Sequence, residues 1–341
     1  MARVVLLVPV LAGVLSGCLQ YDERIRVAAD GAVDLEVMIT GPVASYGPAA
    51  GVPGAPGWLV EVLSVDNTGK DQPERHLRCR RAVAPGDALP SGYVDPAAAE
   101  GAAHLRFPTG LRTWTTGGRT FYEFRRTYEA RRFRRFANAP LTPDQKQLEE
   151  RILEVGIFAV GAADREAYLG VLRQQLEEDM ATRVTEAAGA LAADGVLPVA
   201  AIDGLCAAGR GFTARTVPVE RLLEMLEMDD DSMARALADY NIGLRDALAA
   251  AAEGLAAGAG PRLRAELAAL DRAWDITLHL GNDSFKVQLD LPGRVIRTNG
   301  LSRPDQPGQV TWEFNGKDLQ DRDLPLQAVS VVEAPGHRGT P

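Results

Sequence analysis

The sequence predicts an α+β fold, with an antiparallel β-sheet domain formed by both chain ends and a large α-helical insertion between them. Three observations carry this expectation. Apolar and polar residues alternate over several short runs before residue 140, the period of a half-buried strand. From 141 to 274 the apolar residues recur at steps of three and four, the period of an amphipathic helix. After residue 275 the period returns to two. Alternating strands of this kind form antiparallel sheets with one covered face, and the helical block is the expected cover.

The chain opens with Arg3 and an apolar run from Val4 to Val14, interrupted by Pro9 and too short to cross a bilayer as a helix. A basic start, a short apolar stretch and small residues at its end describe a secretory signal peptide, expected over 1–17. It closes on Leu15-Ser16-Gly17-Cys18. These four residues resemble the lipobox of bacterial lipoproteins. The resemblance implies that the Cys18 thiol is diacylated, that the peptide before it is removed, and that the new amino terminus is acylated in turn. Lipid chains anchor a protein by burying methylenes at about 0.8 kcal/mol each. Leu19 rather than Asp follows the cysteine, which resembles the pattern for the outer membrane, facing the periplasm, in two-membrane bacteria.

Ile25 and Val27 alternate with Arg24 and Arg26, Asp30-Gly31 supplies a turn, and Val33, Leu35, Val37 and Ile39 alternate in their turn. This is a hairpin signal that starts directly beside Cys18. Residues 41–57, dense in Gly, Pro and Ala, read as loop. Trp58 to Val65 reads as strand or helix, His76 to Val83 as strand, and 85–103 again as loop. Strand signals return at Leu105–Phe107 and at Thr120–Tyr128, where aromatic and β-branched residues cluster.

Thr142-Pro143-Asp144-Gln145 offers an N-cap, a proline at the first helical position and a capping-box Gln. Leu148, Ile152 and Val155 follow on one face. A longer helix carries Leu169, Leu172, Leu176, Met180, Val184, Ala187 and Leu191 and ends at Gly195 and Pro198. Pro218 opens a helix through Leu222, Met225 and Leu226; Asp229-Asp230-Asp231-Ser232 caps the next, through Leu237, Tyr240, Leu244 and Leu248. Pro261 opens the last, through Leu263, Leu267, Leu270 and Trp274. Strands are then expected at Ile276–Leu280, Phe285–Leu291, Val295–Thr298 before an Asn299-Gly300 turn, Val310–Phe314 and Leu326–Val332. The expected domains are 18–140 with 275–334 as the discontinuous β-rich domain, 141–274 as the helical insertion, and 335–341 as a disordered tail.

The strand–Asp-Gly–strand start beside Cys18, with Leu291-Pro292-Gly293, Asn299-Gly300 and Val310-Thr311-Trp312-Glu313-Phe314 near the end, is similar to LppM-domain lipoproteins. That resemblance implies a β-rich envelope domain with no established enzymatic motif. The long helical insertion departs from the pattern.

Composition narrows the function classes. Hydrophobic content of 46% and charged content of 24% are globular values. A formal net charge of −9 argues against nucleic acid, which requires a positive surface to displace counterions. Of the four histidines, His76, His104, His279 and His337, none pairs at metal-ligand spacing, and no Cys-x-x-Cys, phosphate loop or nucleophile elbow occurs. No catalytic residue, cofactor or metal is nominated, and no enzyme is expected. The three aspartates at 229–231 lack the spaced ligands of a calcium loop and read as a helix cap. Met225, Met228 and Met233 read as core packing rather than an adaptable groove. Cys79 and Cys206 would close a loop of 127 residues (79 to 206) if paired, worth up to ~4–5 kcal/mol. Two separate buried thiols fit as well.

One segment stands out. Arg125, Arg126, Arg131, Arg132, Arg134 and Arg135 interleave with Tyr128, Phe133 and Phe136. A solvated sheet edge, its arginines paired with Glu123, Glu129 and the acidic helices, is the simpler reading. The functional reading is a surface for an anionic partner: a lipid headgroup, an acidic polysaccharide or an envelope protein. The function expected is that of a lipid-anchored structural or protein-interaction module. The alternative is a carrier or sensor of an amphipathic ligand.

Overall fold

The computed structural model describes residues 19–46, 50–54, 57–66, 73–94, 104–131 and 141–333. The expected signal peptide, Cys18, Arg132, Arg134, Arg135 and the tail after 334 lie outside them. The fold is α+β, with strands at both ends and a helical middle.

Among the described residues, eleven strands make two sheets. β1 (Gln20–Val27), β2 (Val33–Pro42), β3 (Leu59–Asp66), β4 (Glu74–Val83), β7 (Ser284–Asp290), β9 (Leu301–Arg303) and β10 (Gln306–Asn315) form a seven-stranded sheet in the order β3-β4-β2-β1-β7-β10-β9. β5 (Thr109–Thr116), β6 (Arg119–Tyr128), β8 (Arg294–Thr298) and β11 (Leu324–Glu333) form the second, ordered β5-β6-β11-β8. The amino- and carboxy-terminal parts meet where β1 runs parallel to β7, with Tyr21 beside Phe285 and Ile25 beside Leu289. The other described pairings are antiparallel.

Alternation decides which residues the sheets bury. β1 buries Tyr21, Glu23, Ile25 and Val27 and exposes the residues between them; β2 buries Val33, Leu35, Val37 and Ile39. β6 buries Tyr122, Phe124, Arg126 and Tyr128 on one face. These faces join Phe285, Val287, Leu289, Val310, Phe314, Leu326 and Ala328 in one core. The cover of the seven-stranded sheet's apolar face is therefore the four-stranded sheet, where a helical cover was expected.

The turn at residues 28–32 closes the first hairpin. Ala28 N–H donates to the Ala32 carbonyl at 2.8 Å, and the Asp30 carboxylate accepts from Ala32 N–H at 3.0 Å. Asn299 stitches the sheets together. Its Oδ1 accepts from Trp312 Nε1 of β10 at 3.0 Å and from Gln327 N–H of β11 at 2.9 Å. Asn299-Gly300 is thus a crossing from β8 in one sheet to β9 in the other, not a hairpin turn.

The helical residues form their own compact unit, up to Trp274. α1 (Pro143–Val155) begins with the expected capping box between Thr142 and Gln145. α2 (Ala162–Ala193) buries Leu169, Leu172, Met180, Val184 and Leu191. α3 (Ala201–Thr216) lies in a stretch where no helix was expected. α4 (Val219–Glu227) and α5 (Asp230–Leu255) follow, and Asp229 caps α5 by accepting from Ser232 N–H at 2.9 Å. α6 (Ala259–Leu280) completes the unit and runs on into the β unit.

Gly209 explains α3. A Cβ there would run into Met180 Sδ of α2, so the glycine lets the two helices approach at a cost in helix propensity. Tyr240 of α5 meets the buried Thr213 hydroxyl of α3 at 2.8 Å. Gly209→Val is expected to lower the unfolding free energy by about 2–3 kcal/mol, measured by urea denaturation followed by helical circular dichroism. A loss below about 0.5 kcal/mol would mean the helices can part freely.

Two further expectations are corrected, and one strand is added that the sequence reading lacked. Ile276–Leu280 is the end of α6, not a strand; Ile276 and Leu280 are both buried and four apart, so their spacing fits either period. Leu105–Phe107 forms no strand, and the described pairing there is an isolated bridge between Gly92 and Arg106. β5 escaped notice because it is mostly exposed and lacks an apolar face; Gly117 and Gly118, both at positive φ, close its hairpin to β6.

Candidate functional site

Glu23 enters the sandwich from β1 and Arg126 from β6, each in phase with apolar neighbours. Their side chains are 1% and 0% exposed, and Arg126 Nη1 donates to Glu23 Oε2 at 2.6 Å. Tyr93 donates its hydroxyl to the same oxygen at 3.0 Å, and Arg126 Nε donates to Thr109 Oγ1 at 2.9 Å. The guanidinium lies 4.5 Å from the Phe107 ring centre and 5.8 Å from those of Phe124 and Tyr128. Burial opposes its charge, but Glu23 and the surrounding hydroxyls outweigh that and hold it firmly protonated. Burial, with Glu23 beside it, drives Tyr93 well above the ordinary phenol value.

The network sits in a ring of aromatics. Tyr21 stacks on Phe285 at 4.9 Å, Phe285 on Phe314 at 5.1 Å, and Tyr128 meets Phe314 edge-on at 4.9 Å. These rings fill the space between the sheets. Glu23 Oε1 and Arg126 Nη2 are buried without a hydrogen-bond partner among the described residues. Thr109 itself lines an open cleft of about 430 Å³ at one end of the sandwich, with Asp30, Asp87 and Leu111.

The arginines expected to share one surface are therefore divided. Arg126 is buried in the core and is corrected accordingly, because neighbouring residues of a strand face opposite ways. Arg125 points outward, its side chain 62% exposed, and donates to Glu123 at 2.6 Å. Arg131 is largely enclosed; it donates to Thr277 Oγ1 at 3.2 Å and to the His104 carbonyl at 3.0 Å, and burial lowers its pKa to about 10. Arg132, Arg134 and Arg135 lie outside the described residues.

Cys79 and Cys206 are free, buried thiols, Cys79 in the sheet core and Cys206 in the helical core. Burial pushes the Cys79 thiol up to about 11. Native protein at pH 8 is expected to alkylate at Cys79 far more slowly than unfolded protein, by mass spectrometry. Equal rates would place the thiol in contact with solvent.

The junction with the anchor sequence is the second feature. Leu19 is fully buried. Its N–H donates to Asp283 Oδ1 at 2.9 Å, and its carbonyl accepts from Ser284 N–H at 2.9 Å. Asp283 is also fully buried, and Oδ2 has no hydrogen-bond partner among the described residues. Burial pushes its carboxyl up to about 8, against the Leu19 N–H, which lowers it. The folded chain therefore keeps a proton that the unfolded chain releases near pH 4. Stability contributed by that proton is complete below pH 4 and is lost as pH rises to about 8. Unfolding free energy of the full chain should fall over this window, and Asp283→Asn should remove that fall, as read by denaturant titrations at pH 5, 7 and 9. An unchanged slope in the variant would show that Asp283 is ionised throughout.

The edge strand β3 is the third. Leu59, Val60, Val62, Leu63 and Val65 are each at least 41% exposed, and one side of the strand has no partner strand among those described. Exposed apolar edges of this kind are pairing surfaces. Among the described residues no helix is long and apolar enough to cross a membrane.

No protein-family model matches the chain, and no curated protein matches it in sequence. Among solved structures, the chain is similar to the folded domain of LppM from Mycobacterium tuberculosis, determined by NMR. The alignment covers 95% of this chain and 96% of that one, with 9% identity and a TM-score of 0.30.

Proposed function

We propose that the chain is a lipid-anchored protein of the bacterial cell envelope, acting as a structural or protein-interaction module without catalysis of its own. The observation that carries this reading is the position of the fold's first residue. Leu19, immediately after Cys18 of Leu15-Ser16-Gly17-Cys18, is already buried and hydrogen-bonded to Asp283. Acylation of Cys18 would attach lipid two residues before the start of β1 at Gln20, with no flexible spacer, so the sandwich would stand directly on the membrane surface. In a two-membrane cell the reading places it on the outer membrane, facing the periplasm.

The interaction half of the proposal draws on the open edge of β3. The alternative, a carrier of an amphipathic ligand, gains no support from the sheet interface, which Tyr21, Phe107, Phe124, Tyr128, Phe285 and Phe314 occupy. The anchor is tested by fractionation. Wild-type protein should resist carbonate washing of membranes and partition into detergent, whereas Cys18→Ala should accumulate with its leader uncut. Wild-type protein released by carbonate would overturn the proposal.

A further inference from the structure

The outer face of the four-stranded sheet differs in charge from the rest of this acidic chain. Alternation along β6 sends Tyr122, Phe124 and Arg126 inward, so Phe121, Glu123 and Arg125 take the outer side. Register carries that side across the sheet. One row runs from Arg112 on β5 through Glu123 and Val329 to Arg297 on β8. The next runs from Trp114 through Phe121 and Val331 to Arg294. A bulge in this pairing skips Ile296, which keeps Arg294 and Arg297 on the same face.

These arginines are exposed but not loose. Arg125 grips the Glu123 carboxylate through Nε at 2.9 Å and Nη2 at 2.6 Å, and Arg297 lies 3.6 Å from the same oxygen. The Arg112 guanidinium sits 5.4 Å from the ring centre of Trp114, which stacks on Phe121 at 5.2 Å. Val329 and Val331 lie between these side chains, and each is only 8% exposed. Long arginine stems cover apolar surface in this way while their heads stay in water.

Charge decides what such a face receives. Arg112, Arg125, Arg294 and Arg297 share it with one carboxylate, Glu123, which leaves three positive charges in surplus on a chain of formal net charge −9. At the hairpin end Arg119 and Glu333 pair at 3.5 Å and cancel. Arg112 and Arg297 stand three strands apart, about 14 Å at the usual strand spacing. A single small anion does not span that distance, whereas a chain with anionic groups at intervals does. The covered Val329 and Val331 leave no open apolar centre, which a stable protein interface requires. Glu123 shows which group the arginines hold: a carboxylate, taken by the fork of Arg125.

We propose that this face binds an acidic polysaccharide, whose uronate carboxylates meet Arg112, Arg125, Arg294 and Arg297. Arginines already fixed by Trp114 and Glu123 lose little freedom on binding, which favours the contact. That the polysaccharide belongs to the envelope rests on the lipoprotein reading above; the binding itself does not. Leu19 belongs to the core between the sheets, so lipid attached beside it leaves this outer face clear of the membrane.

The test titrates the native protein, held in neutral detergent at low ionic strength, with polygalacturonate in a calorimeter. Changing Arg112, Arg294 and Arg297 together to Gln should weaken binding about tenfold or more, equivalent to about 1.4 kcal/mol. Arg125 is kept so that Glu123 retains its partner. Changing Arg221, Arg262 and Arg264 of the helical unit to Gln removes the same charge elsewhere and should leave binding as in the wild type. All six side chains are exposed, so both variants keep the fold. Neutral dextran should not bind. Equal affinity of the wild type and the first variant, equal weakening in both variants, or equal binding of dextran would overturn the proposal. So would uptake of a short-chain phosphatidylglycerol by this face in place of polygalacturonate, which would make it a lipid surface. Release of the native protein from membranes by carbonate, by contrast, would overturn only the anchor reading.

Discussion

Arg126→Ala is expected to lower the unfolding free energy by about 3–5 kcal/mol, the penalty for leaving Glu23 as an unpaired charge in a dry interior. Glu23 is 1% exposed on its side chain, and the Tyr93 and Tyr128 hydroxyls that reach it are neutral donors. Loss of the guanidinium also removes its stacking against Phe107. Glu23→Leu combined with Arg126→Met should recover most of the loss, because well-packed apolar residues replace buried ion pairs at little cost. Urea denaturation of the single and double variants measures both effects. Single variants costing less than about 1 kcal/mol would show that the pair is hydrated, contrary to its burial.

Gly293→Val should be comparably damaging, at about 3–5 kcal/mol. Gly293 lies in Leu291-Pro292-Gly293, where the chain leaves β7 in one sheet for β8 in the other. Its φ of 79° is the left-handed region, which costs a β-branched residue roughly 1–3 kcal/mol. A Cβ there would also run into the Val331 carbonyl of β11, and such overpacking adds about 1–3 kcal/mol. Gly86 is the control: its φ is 85°, but a Cβ would meet nothing within 4 Å, so Gly86→Ala should cost only about 1 kcal/mol. Equal losses at the two positions would mean that strain alone, and not the sheet crossing, sets the effect.

The two effects differ in how far the sequence announces them. The parity of β1 is visible in the chain: Glu23 shares a phase with Tyr21, Ile25 and Val27, while Asp22, Arg24 and Arg26 take the other. The same holds for Arg126 among Tyr122, Phe124 and Tyr128. Reading the arginines as one cluster hid that parity, since adjacent strand residues face opposite ways. The first hairpin, the caps at Thr142 and Asp229 and the strands at Phe285 and Val310 were legible because local pattern and tertiary packing agree there.

Other features had no local signal. α3 is rich in glycine, and only its approach to Met180 makes the glycine favourable. β5 lies at a sheet edge, exposes both faces in part and shows no period. Asn299-Gly300 reads as a hairpin turn in one dimension, yet it carries the chain between sheets. Asp283 follows a helix end and looks like an ordinary loop carboxylate; its significance appears only when the start of the chain folds against it.

The measurement that bears most directly on the whole account is the intact mass of the native protein extracted from membranes in detergent. The account predicts the mass of residues 18–341 plus a diacylglyceryl group on the Cys18 thiol and an acyl chain on its amine. A chain that retains residues 1–17, or one whose Cys18 thiol is unmodified, would contradict it.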